Sequence, residues 1–169
     1  TIMKNLSLLL LICCCQTFAQ ISFEKGYFIN NAGQRTECYI ENMDWRNNPT
    51  TFNYKLNQGD GEAKTENIMG VSEFGIDNQS MYKRFEVRIE RSQNTTNQLQ
   101  KSKSPIWKNE TLFLHALVIG EASLYNYLDG NTNKYFYETK KNPIEQLVYI
   151  RYLEDSGMKD GLNSYSESI

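Results

Sequence analysis

The sequence predicts an all-β domain, mainly antiparallel, folded as a sandwich or rolled sheet of about eight strands and preceded by a signal-peptide helix. Three observations carry the fold class. Apolar and polar residues alternate along most segments, turn-forming clusters of Gly, Asn, Asp and Pro separate those segments, and strands nowhere alternate with long amphipathic helices, which argues against a doubly wound α/β enzyme.

The leader comes first. Met3, Lys4 and Asn5 precede an apolar run from Leu8 to Cys15, followed by Gln16 and the small-residue pattern Thr17-Phe18-Ala19. This is the layout of a secretory signal peptide over residues 1–19, with Thr1 and Ile2 read from before the start at Met3. The apolar run is shorter than the roughly 20 residues that a spanning helix needs. Cleavage after Ala19 removes Cys13, Cys14 and Cys15 together; the alternative is a lipoprotein in which Cys15 is acylated and anchors the chain. Adjacent cysteines cannot aim three sulfurs at one tetrahedral metal. In the mature chain Cys38 stands alone, so no intrachain disulfide forms, and its place in RTECYIEN makes it a small buried hydrophobe on a strand.

The remaining chain of about 150 residues is one domain's worth, with a β-rich domain over residues 20–155 and a polar, fraying tail over residues 156–169. Net charge is only −2, and 40% of residues are hydrophobic, which suits a folded body and offers no basic stripe for nucleic acid.

Each strand has its own signal. KGYFIN and RTECYIEN flank the turn NAGQ; TFNYKL sets Phe52, Tyr54 and Leu56 on one face; and ENIMGVSEFGI reads as a short strand with an irregular step. In MYKRFEVRIER, Phe85, Val87 and Ile89 fall on one side, opposite a solvated face of Arg84, Glu86, Arg88 and Glu90. Residues 92–105 lack apolar rhythm and read as a long mobile loop. TLFLHALVI is apolar throughout, as for a central strand covered on both faces, and Gly120 marks a bend. EASLYNYL and NKYFYETK meet across DGN as a hairpin; a three-residue loop sets Leu124 against Phe136, a two-residue loop against Tyr135. After Pro143, IEQLVYIRYLED reads as a strand carrying Val148 and Ile150 on one side, its density of Val, Ile and Tyr outweighing a helical reading.

Catalytic signatures are sparse. His115 is the sole histidine and sits within the apolar strand, so paired-histidine zinc ligation is excluded within one chain and a Ser-His-Asp triad lacks its G-x-S-x-G elbow. Phosphate-loop and dinucleotide fingerprints are absent. In DGNTNKYFYETK, Asp129, Asn131 and Asn133 match the first positions of a calcium loop, but Lys134 and Lys140 stand where glycine and glutamate belong. No cofactor or metal is expected. Glu37 and Glu41 share a strand face with Tyr39 between them, and the aromatic residues Trp45, Trp107, Tyr125 and Tyr127 form a candidate binding surface.

Beyond these readings, FEKGYFINNAGQRTECYIENMDWRNNPTTFNYKL, VSEFGI, ETLFLHALVIGEASLYNYLDGN and EQLVYIRYL resemble an uncharacterised family of exported proteins from flavobacteria and related Bacteroidota. The likeness spans residues 23 to 153 and rests on the spacing of Gly, Trp and aromatics. In longer relatives such a domain precedes an outer-membrane β-barrel; this chain, ending at Ile169, is similar to a short stand-alone member or a truncated one. The resemblance carries over no functional residues. The resulting expectation is an exported, non-enzymatic binding or structural domain of the periplasm or outer membrane of a Gram-negative bacterium. Its partner would be an envelope protein or a glycan, with membrane association through a missing barrel or a lipid anchor. The alternative is a glycan-binding or glycan-active protein using surface aromatics and acids.

Overall fold

A computed structural model of the chain describes residues 22–43, 45, 47–92, 99–156 and 159–167, with side chains described as far as residue 153. The leader expected over residues 1–19 lies outside the described residues, which contain no helix. Eleven strands follow in order: β1 (Ser22–Asn30), β2 (Arg35–Asn42), β3 (Thr51–Lys55), β4 (Lys64–Asn67), β5 (Val71–Ile76), β6 (Ser80–Glu90), β7 (Trp107–Val118), β8 (Ala122–Asp129), β9 (Thr132–Thr139), β10 (Glu145–Ser156) and β11 (Lys159–Glu167). They form one antiparallel sheet in the order β11-β10-β9-β8-β7-β6-β5-β1-β2-β3-β4.

The all-β antiparallel class is as expected, but the strands exceed the expected eight. β4 reads KTEN and has no apolar alternation to reveal it; it exists because its backbone completes the ladder of β3, from Thr51↔Asn67 to Tyr54↔Lys64. Lys159–Glu167, read as part of a fraying tail, pairs with β10 from Val148↔Glu167 to Ser156↔Lys159. Backbone hydrogen bonding, blind to side-chain polarity, makes both edge strands.

The sheet is rolled twice, in opposite senses. Neighbouring strands lie about 4.8 Å apart, so in a flat sheet β3 would stand about 14 Å from β5, three places away. Yet the Phe52 and Phe74 rings from those strands stack with centroids 4.2 Å apart. β10 stands four places from β6, and still the Gln146 amide oxygen accepts from the Glu90 backbone N–H at 2.8 Å.

Register shows that the two rolls use opposite faces. Paired residues share a face, so Phe74↔Tyr82 and Tyr82↔His115 put Phe74, Tyr82, Phe113 and His115 on one side, while Phe85↔Leu112 and Lys83↔Leu114 belong to the other. The first face holds a core of Phe28, Cys38, Ile40, Phe52, Tyr54, Phe74, Tyr82 and Phe113. The second holds Val87, Ile89, Leu112, Leu114, Tyr125 and Phe136. The Gln146↔Phe136 pairing continues this inner face into β10, where Val148, Ile150 and Tyr152 are buried. β7 is shared by both rolls, which is why Leu112, Phe113 and Leu114 are all buried and why TLFLHALVI starts as an unbroken apolar run.

Turns set the registers. The β8–β9 hairpin closes through Gly130 and Asn131, with Asp129 paired to Thr132 and Leu124 to Tyr137, so it follows neither register expected from the sequence. Strand pairing runs right up to the turn, and Gly130 at φ 61 takes the first position of a type II′ geometry. β5 carries the irregular step at Ser72, skipped between Ile29↔Glu73 and Asn30↔Val71; its hydroxyl donates to the Ile29 carbonyl at 3.1 Å. Leu56, expected beside Phe52 and Tyr54, lies past the end of β3 and is exposed.

The stretch read as a mobile loop is anchored next to its described part. Leu99 is buried, the Gln100 carbonyl accepts from the Leu153 N–H at 2.9 Å, and Arg91 N–H donates to the Ile106 carbonyl at 2.8 Å; residues 93–98 lie outside the described residues.

Candidate binding surface

The four aromatics singled out from the sequence do not share a surface. Trp45 lies on the first-face core, edge-on to Phe74 and Tyr82 at 5.6 and 5.5 Å. The loop that brings it there is held by Asn48, whose amide nitrogen donates to the carbonyls of Phe113 (2.7 Å) and Asn126 (3.1 Å) while its oxygen accepts from Leu128 N–H (3.0 Å). β7 and β8 pair only from Val118 to His115, so this side chain fills the fork where their ladder ends. Trp107 is covered on one face by the Arg88 guanidinium, 4.3 Å from the ring centre, where a sugar would stack. Tyr125 is 1% exposed, and its hydroxyl donates to Glu138. Tyr127 packs against the second core, with Arg91 over its ring. The reason is parity: Tyr125 and Tyr127 point to the inner face of the roll.

The opposite parity faces outward. In β8, β9 and β10 the rows Leu124↔Tyr137 and Asn126↔Tyr135↔Leu147 lie on the outer face, and Tyr149 follows Leu147 by two residues. Tyr135, Leu147 and Tyr149 are 40%, 43% and 52% exposed. Val118, paired with Leu124, extends the row to the β7–β8 tip, where Leu117 and Ile119 are exposed too. Tyr137 is half-buried and its hydroxyl donates to Glu145 at 3.3 Å. The result is an apolar and aromatic outer face spanning four strands. Alternation in YNYL and KYFY signals two faces, but aromatics occupy both, so the sequence does not say which set is outside.

Several charged residues pair with one another at the end of the second core. Glu90, expected on a solvated strand face, is 1% exposed: its carboxylate accepts from the Ser92 N–H and lies 3.3 Å from the Lys134 ammonium, which also donates to the Glu90 carbonyl. Lys134 lies 3.4 Å from Asp129, and Arg91 pairs with Asp129 (2.8 Å) and Glu110 (2.6 Å). These pairings hold Arg91 firmly protonated, above its ordinary range, and the Arg91 hydrogen bond draws Glu110 below the usual carboxylate range. The network closes the end of the second core, so Asp129 serves this clasp and the turn. An open groove of about 350 Å³ beside it is lined by Glu86, Arg88, Asn109, Glu110 and Thr111, with Glu110 already engaged by Arg91.

The other residues flagged as chemically interesting are similarly placed. Glu37 is paired with Arg35 at 2.7 Å, and Glu41 accepts from Asn53 at 2.7 Å. Four residues apart on one strand they stand about 13 Å from each other, beyond the roughly 5–9.5 Å of glycosidase carboxylate pairs. The His115 ring stacks on Tyr82 at 4.9 Å, and burial lowers its pKa. Cys38 is buried, and that burial pushes its thiol up to about 12. No group of three or more His, Cys, Asp or Glu that could hold a metal occurs among the described residues.

No family model, curated protein or solved structure matches this chain.

Proposed function

We propose that the protein is an exported, non-enzymatic binding or structural domain of the periplasm or outer membrane, and that its outer face on β8, β9 and β10 is the surface that meets an envelope protein. The observation that carries this reading is the exposure of Tyr135, Leu147 and Tyr149 side by side on a regular sheet face. Large apolar side chains on a solvated sheet face cost solubility and contribute nothing to either core, so a partner accounts for their presence. Tyrosine suits such a surface because it brings a rigid ring and a polar hydroxyl. The sequence likeness to exported Bacteroidota proteins and the leader-like first 19 residues support the compartment.

A second reading is favoured by the same tyrosines: Tyr135, Tyr137 and Tyr149 on one outer face offer rings for a glycan chain to stack upon. Binding of the full chain to isolated envelope membranes, to the same membranes after protease treatment and to soluble envelope glycans separates the two. The protein-partner reading expects a protease-sensitive component of binding that Leu147→Ser with Tyr149→Ser weakens about tenfold. Binding to soluble glycan with the same sensitivity establishes the second reading instead, and unchanged binding by the double variant overturns both.

A further inference from the structure

The β7–β8 connection has a composition that its fold does not explain. Residues 117–122 are all exposed, and the first three are the aliphatic Leu117, Val118 and Ile119 at 44%, 54% and 56% exposure. A hairpin that needed only to close would use polar turn residues here. The ladder shifts between Ala116 and Val118, so strict alternation stops just where the exposed aliphatics begin. Folding therefore presents this apolar tip without burying it.

Its surroundings identify what covers it. Pairing of Ala122 with Thr139 sets the β9–β10 turn beside the tip, bringing exposed Lys140 and Lys141 alongside. Among the nearby acids, Glu121 pairs with Lys140 at 2.6 Å, Glu138 with Lys83 at 3.7 Å, and Glu145 accepts from the Tyr137 hydroxyl at 3.3 Å. Tyr137, in the row Val118↔Leu124↔Tyr137, stands behind the tip. An aliphatic point rimmed by lysine matches the outer layers of a bilayer, in which the apolar boundary lies just beneath the lipid phosphates.

We infer that this tip docks the protein on a phospholipid bilayer, with Leu117, Val118 and Ile119 entering the boundary between headgroups and acyl chains and Lys141, beside the Glu121–Lys140 pair, meeting lipid phosphates. Insertion is shallow, because turn backbone cannot leave water without internal partners and the charged Glu121–Lys140 pair stays at headgroup level. The inference goes beyond the proposed function and rests on Leu117, Val118, Ile119 and the neighbouring lysines, not on Tyr135, Leu147 or Tyr149.

The test is co-sedimentation of the full chain with vesicles of phosphatidylcholine, with and without phosphatidylglycerol, alongside fluorescence of an Ile119→Trp variant in vesicles carrying brominated acyl chains. The protein is expected to sediment with vesicles, more so with phosphatidylglycerol. V118D/I119D should lose about tenfold or more of the partition with an unchanged thermal melt, and Leu117→Ser serves as the milder variant should the double one unfold. Ile119→Trp should shift to the blue and be quenched. Failure to sediment with either vesicle overturns the inference, as does wild-type partition by V118D/I119D. Binding lost only in K140A/K141A, with the Ile119→Trp fluorescence unquenched, also overturns it, as does a vesicle-independent self-association that V118D/I119D abolishes. None of these failures touches protease-sensitive envelope binding through Leu147 and Tyr149, so the two readings fall separately.

Discussion

Phe113 and Leu114 are successive residues of β7, and they are buried in different cores, one on each face of the sheet. A strand at the crossover of two opposite rolls must be apolar on both sides. Truncation of either residue should therefore be costly: about 3–5 kcal/mol for Phe113→Ala and about 2–5 kcal/mol for Leu114→Ala, read by urea unfolding. In a two-sheet sandwich of ordinary alternation one of the two would be solvated, and its replacement would cost under about 1 kcal/mol.

The Glu90–Lys134 pair ties β6 to β9 inside the protein. Removing one partner leaves a buried charge without its counterion, so Lys134→Met should destabilise by about 3–5 kcal/mol. Combining it with Glu90→Leu should recover much of that loss, since an apolar pair avoids the desolvation of both charges. Equal losses in the single and double variants, measured by chemical denaturation, would show that Lys134 acts otherwise.

Asn48 substitutes for a missing rung of sheet by bonding three backbone groups across the fork of β7 and β8. Asn48→Ala should cost about 1–3 kcal/mol, and the Leu128 amide should exchange with solvent faster than its neighbours on β8. An unaltered Leu128 exchange rate would show that water replaces the side chain without loss.

Burial raises the Cys38 thiol to about 12, against roughly 9 when unfolded, so the native state holds it neutral. A group with a raised native pKa contributes its full stability below the unfolded pKa and loses it as pH climbs toward the native one. Stability should therefore begin to fall above about pH 9, before the tyrosines near 10, and Cys38→Ala should abolish that first decline. Native Cys38 should also resist a bulky thiol reagent at pH 8 until denaturant is added; rapid native labelling would contradict its burial.

What the sequence discloses and what it hides follow from the same physics. Alternation in RTECYIEN, MYKRFEVRIER and IEQLVYIRYLED announces strands because each has a wet face and a dry one. It cannot announce β4, whose KTEN is polar on both faces, nor the loop that folds Trp45 back onto Phe74, because long-range docking leaves no local period. Uniform apolarity misleads as well. In TLFLHALVI it means two-sided burial at Leu112–Leu114 but exposure at Leu117–Ile119, and only the third dimension tells them apart. The same limit moved the candidate surface from Tyr125 and Tyr127 to Tyr135, Leu147 and Tyr149.

The most direct test of this account is attenuation of side-chain NMR signals by a soluble gadolinium chelate, which reports which parity of β8, β9 and β10 meets solvent. Tyr135, Leu147, Tyr149 and the tip residues Leu117–Ile119 should be strongly attenuated, while Tyr125, Phe136, Val148 and Ile150 should be spared. Attenuation of Tyr125 and Phe136 with protection of Tyr135 and Tyr149 would invert the faces and remove the proposed surface with them.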